Sequence, residues 1–156
     1  MTPDAIIEST RANVAAILKE RFPQTVDFSD GSYALSYGSS SVGVVVRRYT
    51  ETDTMVEIMA QVVSSAIITP DLLKWLLRKN AELHFGAFGL LFDDTIIYTY
   101  SLPGSKLDAS ELEAAVTSVA VIADHYDDEI VKMAGGKRFG TGPIKGFAVT
   151  LCLGIA

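Results

Sequence analysis

The chain is poor in cysteine and in long apolar runs, and each shortage excludes a class of protein. Cys152 is the only cysteine among the 156 residues, so no internal disulfide can form and nothing indicates an oxidising compartment. No apolar run approaches the roughly 20 residues that a helix needs to span a bilayer. The N-terminus carries Asp4 and Glu8 and lacks the pattern of an export signal. We therefore expect a cytoplasmic protein.

The chain also has fewer basic than acidic residues. Thirteen Lys and Arg against nineteen Asp and Glu give a formal net charge of −6, and the sequence pI is about 4.8. Because general nucleic-acid binding depends on Lys and Arg that neutralise phosphates, this balance argues against a nucleic-acid partner. An anionic membrane surface is disfavoured for the same reason. The length and the hydrophobic fraction of 49% favour one ordinary globular domain.

A recognisable catalytic or metal-binding set is missing as well. His84 and His125 are the only histidines, and no Ser or Cys motif places a nucleophile beside either. Residues 124–129 (DHYDDE) form the densest group of ligand-capable side chains, but no other helix offers matching acids, so we interpret them as a solvated helix face. Asp93-Asp94 is a turn signal, and the glycines near the C-terminus do not form a phosphate-binding GxxxxGK[ST] loop. We predict no enzymatic activity, no metal site and no cofactor.

Three segments carry the start signals and periodicity of helices. Thr2 and Thr69 each precede Pro-Asp, so a hydroxyl N-cap followed by proline predicts two helix starts. A capping box formed by Asp108 and Glu111 predicts the third, whose apolar stripe runs to Met133. In the second helix, leucines recur at helical spacing and predict one buried face: Leu72, Leu73, Leu76, Leu77 and, past Asn80, Leu83.

Between these helices the period changes from helical to alternating. Asp30-Gly31 is the strongest hairpin signal in residues 25–63, which contain three or four strands joined by short turns. A second hairpin, around the turn at Asp93-Asp94, adds two strands. The order α-β-β-β-α-β-β-α, with helices before and after the runs of strands, predicts an α+β fold in which three helices pack on an antiparallel sheet of about five strands.

One face of the predicted sheet is a candidate contact surface. Met55 and Met59 alternate with residues that should meet the helices, and Val45, Arg47 and Ile97 on the neighbouring strands share their outer face. Because methionine adapts to varied partners, these five residues are the predicted peptide- or partner-binding site. The face could instead be covered by the C-terminal segment of the same chain, by a second copy or by a small ligand.

The C-terminal part departs from this pattern. Residues 1–133 form the predicted domain, whereas residues 134–156 comprise a glycine-rich loop followed by the apolar segment FAVTLCLGIA. Ten residues are too few to span a bilayer, so we expect this segment to pack on the same domain or on a partner.

Residues 69–133 also carry a family likeness. Its features are a leucine helix ending in Asn80, a small-residue strand around Gly86 and Gly89, a strand closed by Leu102-Pro103, and a final helix with Ala123-Asp124 near its middle. In this pattern the chain resembles the YbjN and type III secretion chaperone-like (CesT-like) superfamily. The resemblance implies that fold, and a small acidic homodimer that binds peptide segments of other proteins and has no enzymatic activity.

The expected function is therefore that of a non-enzymatic protein- or peptide-binding domain, chaperone-like or regulatory. We expect a partner segment to lie on the apolar surface of the first helix or of the outer sheet face, with backbone amides of a strand edge contributing. A small-molecule-binding sensor with a pocket between sheet and helices is the alternative. A ligand-dependent rise in melting temperature would favour the sensor, because binding to the native state alone raises apparent stability.

Overall fold

Three helices lie on one face of an antiparallel sheet in the computed structural model, which describes residues 1–139. The helices are α1 (Asp4–Arg21), α2 (Pro70–Glu82) and α3 (Ala109–Ala134). The strands are β1 (Val26–Asp27), β2 (Ser32–Tyr37), β3 (Ser40–Arg48), β4 (Thr54–Ser64), β5 (Ala87–Leu90), β6 (Ile96–Pro103) and β7 (Lys137–Arg138). Their order is β1-β2-β3-β4-β6-β5, with β7 paired to β4. The predicted α+β class is confirmed, and the strands beyond the expected five, β1 and β7, have two residues each.

The core lies between the inner face of the sheet and the helices. Val56, Ile58 and Ala60 of β4 are 0% exposed, as are Val14 of α1 and Val116 of α3. All belong to one apolar cluster that joins the sheet to the helices. Burying each of the larger aliphatic side chains stabilises the fold by about 1.5–3 kcal/mol. Since the helices occupy this inner face, the outer face of the sheet carries none of them.

Two of the predicted helix starts are confirmed. The Thr69 hydroxyl accepts a hydrogen bond from the backbone N–H of Leu72 at 3.2 Å. Asp108 and Glu111 form the reciprocal capping box at the start of α3. Such caps satisfy backbone N–H groups that have no partner inside the helix. Among residues 1–139, no helix is both long enough and apolar enough to cross a membrane.

The predicted Thr2 cap of α1 is wrong. Pro3 occupies the cap position, where no side chain of residues 1–139 caps the helix. Thr2 is 1% exposed, and its hydroxyl donates to the carbonyl oxygen of Thr50 at 2.5 Å and lies 2.9 Å from that of Asp53. The hydroxyl therefore anchors the start of α1 to the turn between β3 and β4, where buried carbonyl oxygens need a donor.

The described part of the chain ends beside the central strand of the sheet. Lys137 and Arg138, within the predicted glycine-rich segment, pair antiparallel with Ser64 and Val63 of β4. Val63 also pairs with Ile96 of β6, so β7 lies on the other flank of β4, the flank along which β3 runs. Residues 140–156, including the predicted apolar segment, lie outside the described residues.

Candidate functional site

The five residues predicted to bind a partner lie on three adjacent strands, on the sheet face opposite the helices. We call them the outer patch: Val45 and Arg47 of β3, Met55 and Met59 of β4, and Ile97 of β6. Arg47 lies directly across from Met55 in the β3–β4 register. The β4–β6 register places Ile97 two residues along from the position opposite Met59. The structure thus brings the five side chains together, and their binding role stays a prediction.

The outer patch has a buried part and an open part. Met59 and Ile97 are each 7% exposed, although they lie outside the cluster that fills the core. Val45, Arg47 and Met55 are half-buried. Open contact area is therefore concentrated at the end of the patch near the β3–β4 turn.

Arg47 has unused hydrogen-bonding capacity in this patch. Its Nε donates to the Glu57 carboxylate at 2.8 Å, and the two side chains are 20% and 23% exposed. The Arg47 Nη2 atom is buried and has no hydrogen-bond partner among residues 1–139. An unsatisfied buried donor costs about 1–3 kcal/mol, and more when the group is charged. A carbonyl or carboxylate oxygen brought to this face would remove that cost.

Two adjoining cavities flank the β3–β4 turn, and only the first reaches the outer patch, at Met55. One has a volume of about 400 Å³ and is lined by residues that include Tyr49, Met55 and Pro103. The other, of about 540 Å³, shares Asp53 and Pro103 with the first. The backbone N–H of Ser105 donates to Asp53 at 3.0 Å, and this bond helps to hold the pKa of the carboxyl below its ordinary value. The mouth of both cavities therefore carries a carboxylate beside apolar and aromatic surface.

The leucines of α2 do not form a single buried face as predicted. Leu72 and Leu76 are 1% and 6% exposed, whereas Leu73 and Leu77 are 39% and 69% exposed. The four leucines extend around more of the helix than the side that packs on the rest of the protein, where the ring of Trp75 lies 6.1 Å from that of Phe88. Helical spacing shows which leucines lie near one another on α2, but it does not show which of them contact another element. Leu73 and Leu77 therefore form an exposed apolar stripe one turn long.

Asn80 of α2 closes part of the sheet edge. Its side chain accepts from the backbone N–H of Phe88 at 2.7 Å and donates to the Phe88 carbonyl at 3.1 Å. Phe88 belongs to β5, the last strand in the sheet order. An edge strand offers free backbone groups to other strands. Asn80 occupies both groups of Phe88, so a partner strand cannot pair at this position without displacing it.

The interpretation of residues 124–129 as a solvated face fails at one position. Asp124 and Asp128 are exposed, but Asp127 is only 7% exposed, and its Oδ1 has no hydrogen-bond partner among residues 1–139. Burial raises the pKa of the Asp127 carboxyl above its ordinary value. Within the same described residues, no group of three His, Cys, Asp or Glu side chains is arranged to hold a metal ion.

Comparison with known proteins gives one family and several related folds. The family profile TY-Chap1, described as "T3SS (YopN, CesT) and YbjN peptide-binding chaperone 1", matches residues 8–142. A chain of the HopA1-SchA chaperone–effector complex is similar with a TM-score of 0.64 and 12% identity, over 81% of this chain and 98% of that one. A chain of the ExsC-ExsE complex has a TM-score of 0.59 and 14% identity, over 83% and 97%. No curated protein sequence matches the chain significantly.

These findings confirm both the fold and the resemblance carried by residues 69–133. The two solved structures share the fold at low sequence identity, and the family profile covers most of the chain. The protein belongs to the TY-Chap1 family of T3SS (YopN, CesT) and YbjN peptide-binding chaperones.

Proposed function

We propose that the protein is a chaperone-like protein that holds an extended peptide segment of a partner protein against the outer patch. The observation that carries the proposal is the outer face itself: among residues 1–139 it has an apolar centre, no helix covers it, and Arg47 Nη2 has no hydrogen-bond partner. The family description supports peptide binding, and one similar structure is a chaperone–effector complex. Neither supports the small-molecule alternative.

The open end of the patch sets how the segment would bind. Alternate side chains of an extended peptide point to the same face, so they can contact Val45 and Met55 in succession. A carbonyl oxygen between them can accept from Arg47 Nη2. A further side chain can enter the cavity of about 400 Å³ beside Tyr49. Each buried apolar side chain contributes at most about 1.5–3 kcal/mol before the cost of ordering the peptide. Binding of this kind is non-covalent and reversible.

The test replaces the open apolar side chains by polar ones of similar size. Peptides selected from a displayed random library on the unmodified protein are measured by fluorescence anisotropy on a Val45→Thr, Met55→Gln variant. We expect affinity to fall about tenfold or more, because two apolar contacts are lost. The matched control, Val121→Thr with Met133→Gln, makes the same substitutions at exposed positions of α3. Equal affinity in both variants would exclude the outer patch as the binding surface.

We further propose that the protein is a homodimer in which the two copies meet through α2. Leu73 and Leu77 form the exposed apolar stripe of this helix. Leu73 and Leu77 lie four residues apart, about one helical turn, and so project from the same side of α2. A two-fold axis that crosses the helix midway between them pairs the helices antiparallel and places each Leu73 beside the partner subunit's Leu77. The stripe is therefore self-complementary, as a two-fold interface requires.

A further inference from the structure

We propose that segment 147–156 of the same chain docks on the outer patch and competes there with the partner peptide. The inference rests on the function proposed above and adds an internal regulator of the same site. Three features support it: the direction in which the described chain ends, the length and pattern of the sequence that follows, and the burial of the patch.

The described chain ends pointing along β4 towards the outer patch. β7 runs from the position of Ser64 to that of Val63, that is, towards the Met55 end of β4. The chain cannot continue along β4 in the plane of the sheet, because β3 already pairs with that flank of β4 from Ala60 onward. The inner face is filled by the helices and the core. The outer face is the side of β4 on which residues 1–139 place no helix, and it is the side open to the continuing chain.

The sequence between β7 and the apolar segment is long enough to let that segment reach any position along the outer patch. Residues 139–146 separate β7 from the apolar segment, and eight extended residues span at most about 29 Å. The stretch of β4 from Val63 back to Met55 is about 26 Å long at 3.3 Å per residue. The apolar segment can therefore begin at either end of the outer patch.

The sequence of the segment suits a strand with one large apolar face. Its odd positions hold large apolar residues and its even positions hold small ones: Phe147, Val149, Leu151, Leu153 and Ile155 alternate with Ala148, Thr150, Cys152, Gly154 and Ala156. This alternation is typical of an extended strand packed on one side. The segment contains no charged residue, so docking buries no charged side chain of the segment. The family profile ends at residue 142, so the segment lies outside the sequence that matches the profile.

The outer patch has the properties that such a segment requires. Met59 and Ile97 are only 7% exposed although they lie outside the core cluster. Gly43 lies beside Met59 and pairs on its other side with Ala34, so the β3 side of Met59 carries small residues that allow close approach. The backbone carbonyls of an extended strand are acceptors for the buried Nη2 of Arg47.

Crosslinking in the full chain tests the docking directly. All variants carry Cys152→Ser. The test pair is Met59→Cys with Leu151→Cys. The control pair is Val121→Cys with Leu151→Cys, because Val121 lies in the helix layer on the opposite side of the sheet and is 47% exposed. A short bismaleimide should join the Met59 pair within one chain and leave the Val121 pair unjoined. Equal intramolecular yields, or a Met59 product that joins two chains, would overturn the proposal.

Thiol reactivity gives a second readout that does not alter the patch. Leu151→Cys, again with Cys152→Ser, should react with a thiol reagent about tenfold more slowly than the native Cys152. The reason is that docking covers the face of the segment that carries its odd-numbered residues and leaves the even-numbered face open. A docking free energy of about 1.4 kcal/mol corresponds to this tenfold ratio. Equal rates, both as fast as in denaturant, would count against docking whatever the crosslinking yields.

Peptide binding separates this inference from the function on which it rests. Leu151→Asp should weaken docking and raise affinity for the selected peptides. If the crosslink forms and no variant binds peptide, the segment docks and the proposed function fails. If peptide binds the outer patch but Leu151→Asp has no effect and no crosslink forms, the function stands and the internal competitor is excluded.

Discussion

Asp127 places a carboxyl group in the interior beneath α3, and its environment predicts how stability depends on pH. Burial raises its pKa above the ordinary 3.8, and the nearby charges of Asp128 and Asp124 add to the rise, whereas the backbone N–H of Asp128 and the charge of Arg138 oppose it. The folded protein therefore holds this proton more tightly than the unfolded chain does. The favourable contribution of the group is complete below pH 3.8 and is lost as the pH rises through the folded pKa.

Replacing Asp127 by asparagine should therefore stabilise the protein at neutral pH. We expect Asp127→Asn to raise the free energy of unfolding at pH 7 by about 1 kcal/mol, because an uncompensated buried charge is removed. The gain should vanish near pH 3, where Asp127 is itself protonated. Urea unfolding at both pH values measures the difference. Asp124→Asn, at an exposed position of the same helix, is the control, and a comparable gain there would exclude burial as the cause.

Arg47 is the residue at which geometry, more than charge, should control peptide binding. Lysine keeps the charge and can still pair with Glu57, but it lacks the second arm of the guanidinium fork. We expect Arg47→Lys to lower the affinity for the selected peptides by about tenfold, since a hydrogen bond to a charged donor contributes roughly 1.5–3 kcal/mol. Fluorescence anisotropy measures the loss. The control is Arg48→Lys, because the guanidinium of Arg48 contacts Asp4 at the surface. This variant should bind the peptides as the unmodified protein does, and an equal loss of affinity in it would contradict the role of Arg47 Nη2.

At the scale of elements, the junction of α2 and β5 depends on one amide side chain. Asn80→Ala removes two hydrogen bonds to Phe88 and should lower the free energy of unfolding by about 2 kcal/mol, at about 1 kcal/mol for each bond. Asn13→Ala is the matched control, because Asn13 makes a single bond, to the Leu107 carbonyl at 2.8 Å. Chemical denaturation compares the two, and hydrogen exchange at Phe88 reports the freed edge. Equal losses, with Phe88 still protected, would show that Asn80 does not close the edge.

The elements also show what could be predicted from the sequence and what could not. The caps at Thr69 and Asp108 were predictable because each side chain satisfies an amide three residues away. Thr2 was mispredicted because its hydroxyl bonds across 48 residues, to Thr50. Alternation was enough to place Met55 and Arg47 on one face. The local sequence contains no signal for contacts that depend on register.

The same distinction holds for the remaining features of the site. The pairing of Arg47 with Glu57, the cavities beside Tyr49 and the burial of Asp127 all arise where distant segments meet. The family likeness was visible because it lies in the order and apolar pattern of whole elements, which a sequence retains even at 12% identity to a related structure.

For the whole molecule, the proposed α2 interface predicts a dimer of twice the 16.8 kDa chain mass. Leu73→Glu and Leu77→Lys should each weaken the dimer, because each places a charge against an apolar leucine across the two-fold axis. The double variant places opposite charges side by side across the axis and should recover dimerisation relative to the single variants. Sedimentation equilibrium across a concentration series measures it. A double variant no better than the single ones, or an unmodified chain that stays monomeric, would exclude this interface.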